Sequence, residues 1–176
     1  MVKCLVSQKS VAKIEIDPED SFQNTPLHVA ATYDNSNVVK LLLKNGADVT
    51  KVDQGGQNVL HKAAREGNNK VVVAVIEHLK PRKDDEEEQV KQKEEKLRKL
   101  MSQPDKRGNY PFMLAVQSVT SGKTLETFME NANYAGYVNT LLETPNKRNE
   151  FPIHKACRYC EIFSCLTFKC YVLFKT

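Results

Sequence analysis

The chain has 176 residues, 40% of them hydrophobic and 27% charged, which supplies enough apolar material for one domain with a substantial core. Seven Gly, seven Pro and no Trp exclude collagen-like and low-complexity architectures. A formal charge of +4 is too small a surplus to imply nucleic acid, which needs a clustered basic stripe.

Residues 1–19 open with MVKCLVSQKS, which holds no apolar run of the length a signal peptide requires. The first strong element follows at NTPLHVAA, Asn24 to Ala31. Thr25 is a good N-cap, and Pro26 sits at the first helical position, where its missing amide hydrogen costs nothing. Leu27, Ala30 and Ala31 fall at helical spacing, and the two alanines let an antiparallel helix approach closely. Val38, Val39, Leu41, Leu42 and Leu43 predict that second helix, which Asn45-Gly46 stops. Ala47 to Asp53 then runs on as an extended hairpin.

The same unit returns 33 residues later as QNVLHKAA, Gln57 to Ala64, followed by Val71, Val72, Val73, Val75 and Ile76. Weaker copies stand at NYPFMLAV, Asn109 to Val116, and EFPIHKAC, Glu150 to Cys157, after offsets of 52 and 41 residues. A period of 33 with insertions is a repeat signature. The segments TPLHVAA through LLLKNGADV resemble the ankyrin-repeat family, and the resemblance covers residues 20 to 160. It implies an all-α solenoid of three to four helix-turn-helix repeats with short hairpins, the last incomplete, that presents a concave surface to a protein partner. The chain departs from the family pattern at Gln23, where a hairpin glycine is usual, at Met113 for the histidine, at Tyr110 and Phe151 for the threonine, and at Val119 for the turn glycine. HKAAREGNNKVVVAVIEHLK, the charged insertion after it and NKRNEFPIHKACRY are also similar to the cytoplasmic ankyrin stretch of TRPA-type transient receptor potential channels. That similarity implies a parent that is a sensory cation channel, with none of its pore in these residues.

The division expected is a lead-in over 1–19, the end of a truncated repeat, then repeat 1 over 20–52 and repeat 2 over 53–80. A charged helical insertion over 81–104, repeat 3 with extra residues over 105–145, a partial repeat 4 over 146–160 and a Cys-rich apolar tail over 161–176 complete it. In the insertion, acidic residues come first and Lys and Arg later, which suits the helix dipole, and Glu87 with Lys91 falls at a favourable spacing. The expectation is a solvated arm standing off the stack. After Tyr159 the pattern breaks into CEIFSCLTFKCYVLFKT, so the fourth repeat is left unfinished, and truncation or an aberrant reading of the gene is expected at this end.

Five cysteines, four of them in the last twenty residues, read as reduced thiols of a cytoplasmic protein. Cys157, Cys160, Cys165 and Cys170 match a zinc-knuckle spacing with cysteine in place of the histidine, which would make the tail a zinc-dependent nucleic-acid binder. The glycines such a loop needs are absent, and Cys157 takes a core alanine position, so neither a metal nor a cofactor is expected. His28, His61 and His154 recur at one repeat position and are expected to tie each helix start to the neighbouring hairpin. Gly122-Lys123-Thr124 echoes the end of a phosphate-binding loop, but Gln117 stands where the upstream glycine belongs. No catalytic constellation stands out, and the chain is read as a non-enzyme.

The binding residues expected follow from the repeat. The first helices turn Val29, Thr32 and Tyr33, then Lys62, Arg65 and Glu66, then Leu114, Gln117 and Ser118, and finally Lys155, Arg158 and Tyr159 toward the concave side. Hairpin tips add Lys106, Arg107, Lys147 and Arg148. Of these, Tyr33, Lys62, Arg65, Lys106, Arg107, Lys147, Arg148, Lys155, Arg158 and Tyr159 are the candidate partner-binding set. They form a basic face suited to an acidic protein partner, with no nucleic acid and no membrane contact expected of this segment.

Overall fold

The computed structural model describes residues 15–118, 122–134 and 142–159, and its regular structure is entirely helical. The first repeat contributes α1 (Pro26–Thr32) and α2 (Ser36–Lys44), and the second contributes α3 (Val59–Glu66) and α4 (Asn69–Leu79). The insertion forms α5 (Glu87–Ser102), the third repeat α6 (Pro111–Gln117) and α7 (Gly122–Tyr134), and the fourth α8 (Pro152–Tyr159). An inner row packs α1 on α3, α3 on α6 and α6 on α8, while an outer row packs α2 on α4 and α4 on α7. This is the all-α ankyrin solenoid that the 33-residue period implies.

Three of the four inner-row helix starts carry a local histidine contact. In α3 the Asn58 side chain accepts the His61 backbone amide at 3.1 Å, and the Asn58 amide donates to His61 Nδ1 at 3.2 Å, a reciprocal cap. Thr25 and His28 repeat the second contact at 3.2 Å, and Phe151 and His154 at 3.0 Å. Of the three histidines, His61 also reaches the next hairpin, placing Nε2 3.1 Å from the Asn109 carbonyl. The His28 Nε2 is buried with no hydrogen-bond partner among the described residues.

The core lies between the two rows. Val39, Leu42 and Leu43 of α2 and Val71, Val72, Val75 and Ile76 of α4 are buried, each fully buried aliphatic side chain contributing roughly 1.5–3 kcal/mol. Met113, in the histidine position of the third copy, is fully buried beside Phe112. Polar staples hold successive repeats together. Asn68 Nδ2 donates to the Ala31 and Thr32 carbonyls at 2.8 and 3.0 Å, capping the end of α1 from the next repeat. Thr124 Oγ1 donates to the Gly67 carbonyl at 3.0 Å, so the threonine of the Gly-Lys-Thr triplet is a buried contact between repeats.

The insertion corrects one expectation. Helix α5 is largely exposed over its first three turns, but Leu100 and Met101 are buried, with Leu97 packed beside them. The Leu100 carbonyl accepts Asn58 Nδ2 at 2.9 Å. Leu97, Leu100 and Met101 sit in the last two turns of α5, where the chain returns to the stack between α4 and α6, and there they join the core. Cys157 is a second correction: it is exposed, although its counterpart Ala31 is fully buried. Helix α2 covers the equivalent face in the first repeat, whereas no described helix follows α8.

Candidate functional site

The candidate face is built from the turns that precede each inner helix. Four times, at Asp20, Asp53, Asp105 and Asn146, a side-chain oxygen accepts the backbone amides two and four residues ahead. The distances run from 2.8 to 3.0 Å. The residue three ahead takes a positive φ, +61° at Gln23, +74° at Gly56, +80° at Gly108 and +58° at Asn149. The hairpin therefore closes without glycine at Gln23 and Asn149, because the side-chain cap over-determines the turn.

The resulting fingers are joined edge to edge. The Gln54 amide donates to the Phe22 carbonyl at 2.9 Å, the Lys106 amide to Gly55 at 2.9 Å, and the Lys147 amide to Arg107 at 3.2 Å. Side chains add Gln57 Nε2 to Asp105 at 3.2 Å and Asn146 Nδ2 to Asn109 Oδ1 at 3.0 Å. At Gly108 an added Cβ would stand 2.6 Å from the Lys147 amide nitrogen, so glycine serves there both the positive φ and the close approach of the next finger.

Between these fingers and the inner helices runs a groove of about 400 Å³, reaching from Asp53 and Lys62 to Lys155 and Arg158. Seven cations and three carboxylates line it, and each carboxylate is already engaged. Asp53 meets Lys62 Nζ at 2.6 Å. Burial alone would raise the Asp53 carboxyl, but the Lys62 ammonium and the Gln57 and Gly55 amides outweigh it and hold the carboxyl below its usual range. Glu150 meets Arg158 at 2.8 Å and Lys155 at 3.7 Å. Hydrogen bonds from Asn146 and Arg158 keep it ionised below its usual range. Asp105 is held by the Arg107 and Asn109 amides and by Gln57.

Four cations of the groove, Arg65, Lys106, Arg107 and Arg148, form no ion pair among the described residues. Seven of the ten residues singled out from the sequence thus line one groove: Lys62, Arg65, Lys106, Arg107, Arg148, Lys155 and Arg158. They do not stand equally open. Lys155 is 6% exposed, and burial lowers its ammonium pKa against the pull of Glu150, which makes it part of the wall. Leu114, expected to face outward, is also buried. Lys147 is exposed at its finger tip, outside the groove lining. Tyr33 lies at the end of α1, 72% exposed, and the Tyr159 side chain falls outside the described residues.

Sequence reasoning passed over the side chains that close the fingers. Their signal was present: Asp20, Asp53, Asp105 and Asn146 each stand five residues before the helix-capping position of their copy. Among the described residues no group of His, Cys, Asp and Glu is arranged to hold a metal. Cys160, Cys165 and Cys170 of the knuckle spacing lie outside the described residues. No helix of the described residues is long and apolar enough to cross a membrane.

Comparison with known proteins agrees with this geometry. Residues 1–87 match the family model described as ankyrin repeats, three copies. The NF-kappa-B p105 subunit of Gallus gallus is 40% identical over 65 residues, 37% of this chain and 7% of that protein. Inversin of Homo sapiens is 44% identical over 52 residues, 30% of this chain and 5% of that protein. The transient receptor potential cation channel subfamily A member 1 homolog of Caenorhabditis elegans is 31% identical over 72 residues, 41% of this chain and 6% of that protein. The stacked helix pairs and their capped fingers define a repeat scaffold, and the chain carries ankyrin repeats. It spans less than a tenth of the length of each of these relatives.

Proposed function

We propose that this segment is a non-catalytic protein-interaction scaffold of the cytoplasm that receives an acidic stretch of a protein partner in the groove between its fingers and inner helices. The observation that carries this reading is the uncompensated charge: the three carboxylates lining the groove are engaged, while Arg65, Lys106, Arg107 and Arg148 have no ion-pair partner among the described residues. Ankyrin repeats are protein-binding modules, and a cation-lined groove selects acidic partners and speeds their encounter. Arginine supplies three of the four open cations, which favours planar carboxylate recognition. The test is fluorescence anisotropy of a labelled oligoglutamate peptide against the chain and its Arg107→Glu/Arg148→Glu variant. Binding that weakens steeply with salt, and by about tenfold or more in the variant, is expected. Equal binding by both proteins would remove the groove from the reading.

A second reading concerns the parent protein. The phrases HKAAREGNNKVVVAVIEHLK and NKRNEFPIHKACRY, together with 31% identity over 72 residues to the Caenorhabditis elegans channel homolog, favour a TRPA-type sensory cation channel carrying this segment on its cytoplasmic side. Sequencing the transcript beyond Thr176 tests it: several membrane-spanning segments downstream are expected, and a reading frame without them would reject it.

A further inference from the structure

The inner face changes character from the first repeat to the second. At the finger position two residues past the capping side chain stand Phe22, Gly55, Arg107 and Arg148 in successive repeats. At the position after the first-helix histidine, or its methionine substitute, stand Val29, Lys62, Leu114 and Lys155. Repeat 1 is thus apolar at both positions, whereas each later repeat carries a cation at one of them or both. Phe22 is 64% exposed, Val29 44% and Tyr33 72%, and these are three of the four large hydrophobic side chains exposed among the described residues. The fourth, Ile153, sits at the position equivalent to buried Leu27.

This apolar patch is continuous with the basic groove. Finger 1 is hydrogen-bonded to finger 2 through Phe22 and Gln54, and α1 packs directly on α3, which carries Lys62 and Arg65. Tyr33 caps the end of α1 one turn beyond Val29, its amide donating to the Val29 carbonyl at 3.3 Å, so the two share the outward face. Isolated exposed apolar residues need no explanation, but a group of three bordering a groove with open cations marks an interaction surface.

We infer that the partner segment is bipartite, an acidic run lying over repeats 2 to 4 joined to one large apolar or aromatic residue seated on Phe22, Val29 and Tyr33. This rests on the acidic-partner reading above and adds its register. Neighbouring helices stand about 8–10 Å apart, so two steps from α1 to α6, at the middle of the cationic groove, cover about 16–20 Å. An extended chain advances about 3.4 Å per residue, which places the apolar anchor roughly five to six residues from the centre of the acidic run.

The test uses labelled synthetic peptides against the whole chain: an oligoglutamate run alone, the run with Phe five to six residues from its centre on either side, and the run with Phe at its centre. The spaced peptide, in one of its two orders, is expected to bind about tenfold more tightly than the bare run, and central Phe to give no gain. In a Phe22→Ser/Val29→Ser variant the gain should vanish while binding of the bare run persists. Both positions are exposed, and circular dichroism melts confirm that the variant is folded. Equal binding of anchored and bare peptides, or a gain that survives in the variant, overturns the bipartite inference and leaves the acidic-partner reading standing. Failure of every peptide to bind at low salt overturns both.

Discussion

His61 Nε2 stands 3.1 Å from the carbonyl oxygen of Asn109, a residue 48 positions further along the chain, and the contact ties the start of the second repeat to the finger of the third. His61 is fully buried and accepts the Asn58 amide on its other nitrogen, so the neutral ring with its proton on Nε2 satisfies both partners. A protonated ring would bury a charge and exchange the Asn58 backbone amide for the Asn58 side-chain oxygen, 2.8 Å from Nδ1.

That geometry gives a pH dependence with a definite sign. Burial, only partly opposed by Asn109 and nearby carboxylates, lowers the His61 pKa from 6.5 to about 4. The unfolded chain takes up the proton first as pH falls, so stability is full above about 6.5 and declines as pH drops toward 4, by up to about 3 kcal/mol over the window. Urea melts at pH 7, 6 and 5 should show the decline, and a His61→Gln variant, weaker at pH 7, should show a shallower one. Parallel slopes in the two proteins would assign the pH dependence to other groups.

Gly108→Ala should destabilise the stack by about 1–3 kcal/mol, since alanine must hold a positive φ while its Cβ meets the Lys147 amide nitrogen at 2.6 Å. Gly46→Ala isolates the backbone contribution, because φ there is +90° with nothing within 4 Å of the added carbon. Thermal melts should rank Gly108→Ala as the more costly; an equal loss would show that the fingers have room to separate.

Leu100→Ala should cost about 2–5 kcal/mol, as truncation of a fully buried leucine does, whereas Glu94→Ala on the exposed part of α5 should stay within about 0.5 kcal/mol. Deleting 81–103 removes Leu100, Met101 and the carbonyl partner of Asn58, so the deletion should lower the melting temperature rather than merely shorten a connection. Leu42→Asp, which places a carboxylate among the buried side chains of α2, should abolish folding, and circular dichroism would register all four variants.

Arg107→Glu/Arg148→Glu should leave the melting midpoint nearly unchanged, because both residues are exposed and neither is in an ion pair among the described residues. A large loss of stability would mean that these arginines support the fingers, and the binding assay would then need the milder Arg→Gln substitutions.

The repeat, its helix starts and its finger turns were legible in the sequence because each is set by residues within about five positions. Thr25-Pro26 and Asn58 cap their helices, Asp53 closes its own turn, and the apolar spacing of α2 and α4 marks the buried faces. Which cations remain open was decided only by the tertiary structure. Lys62 and Arg158 look alike as letters until Asp53 and Glu150 are placed beside them, and Lys155 is buried rather than displayed. The same holds for Leu100 and Met101, which follow a run of charges yet enter the core, and for Cys157, which holds a core position but has no described helix over it. Burial and ion pairing depend on which distant segment arrives alongside, and with insertions separating the copies, neither the contact between Asn58 and Leu100 nor that between Gln57 and Asp105 follows from the repeat period.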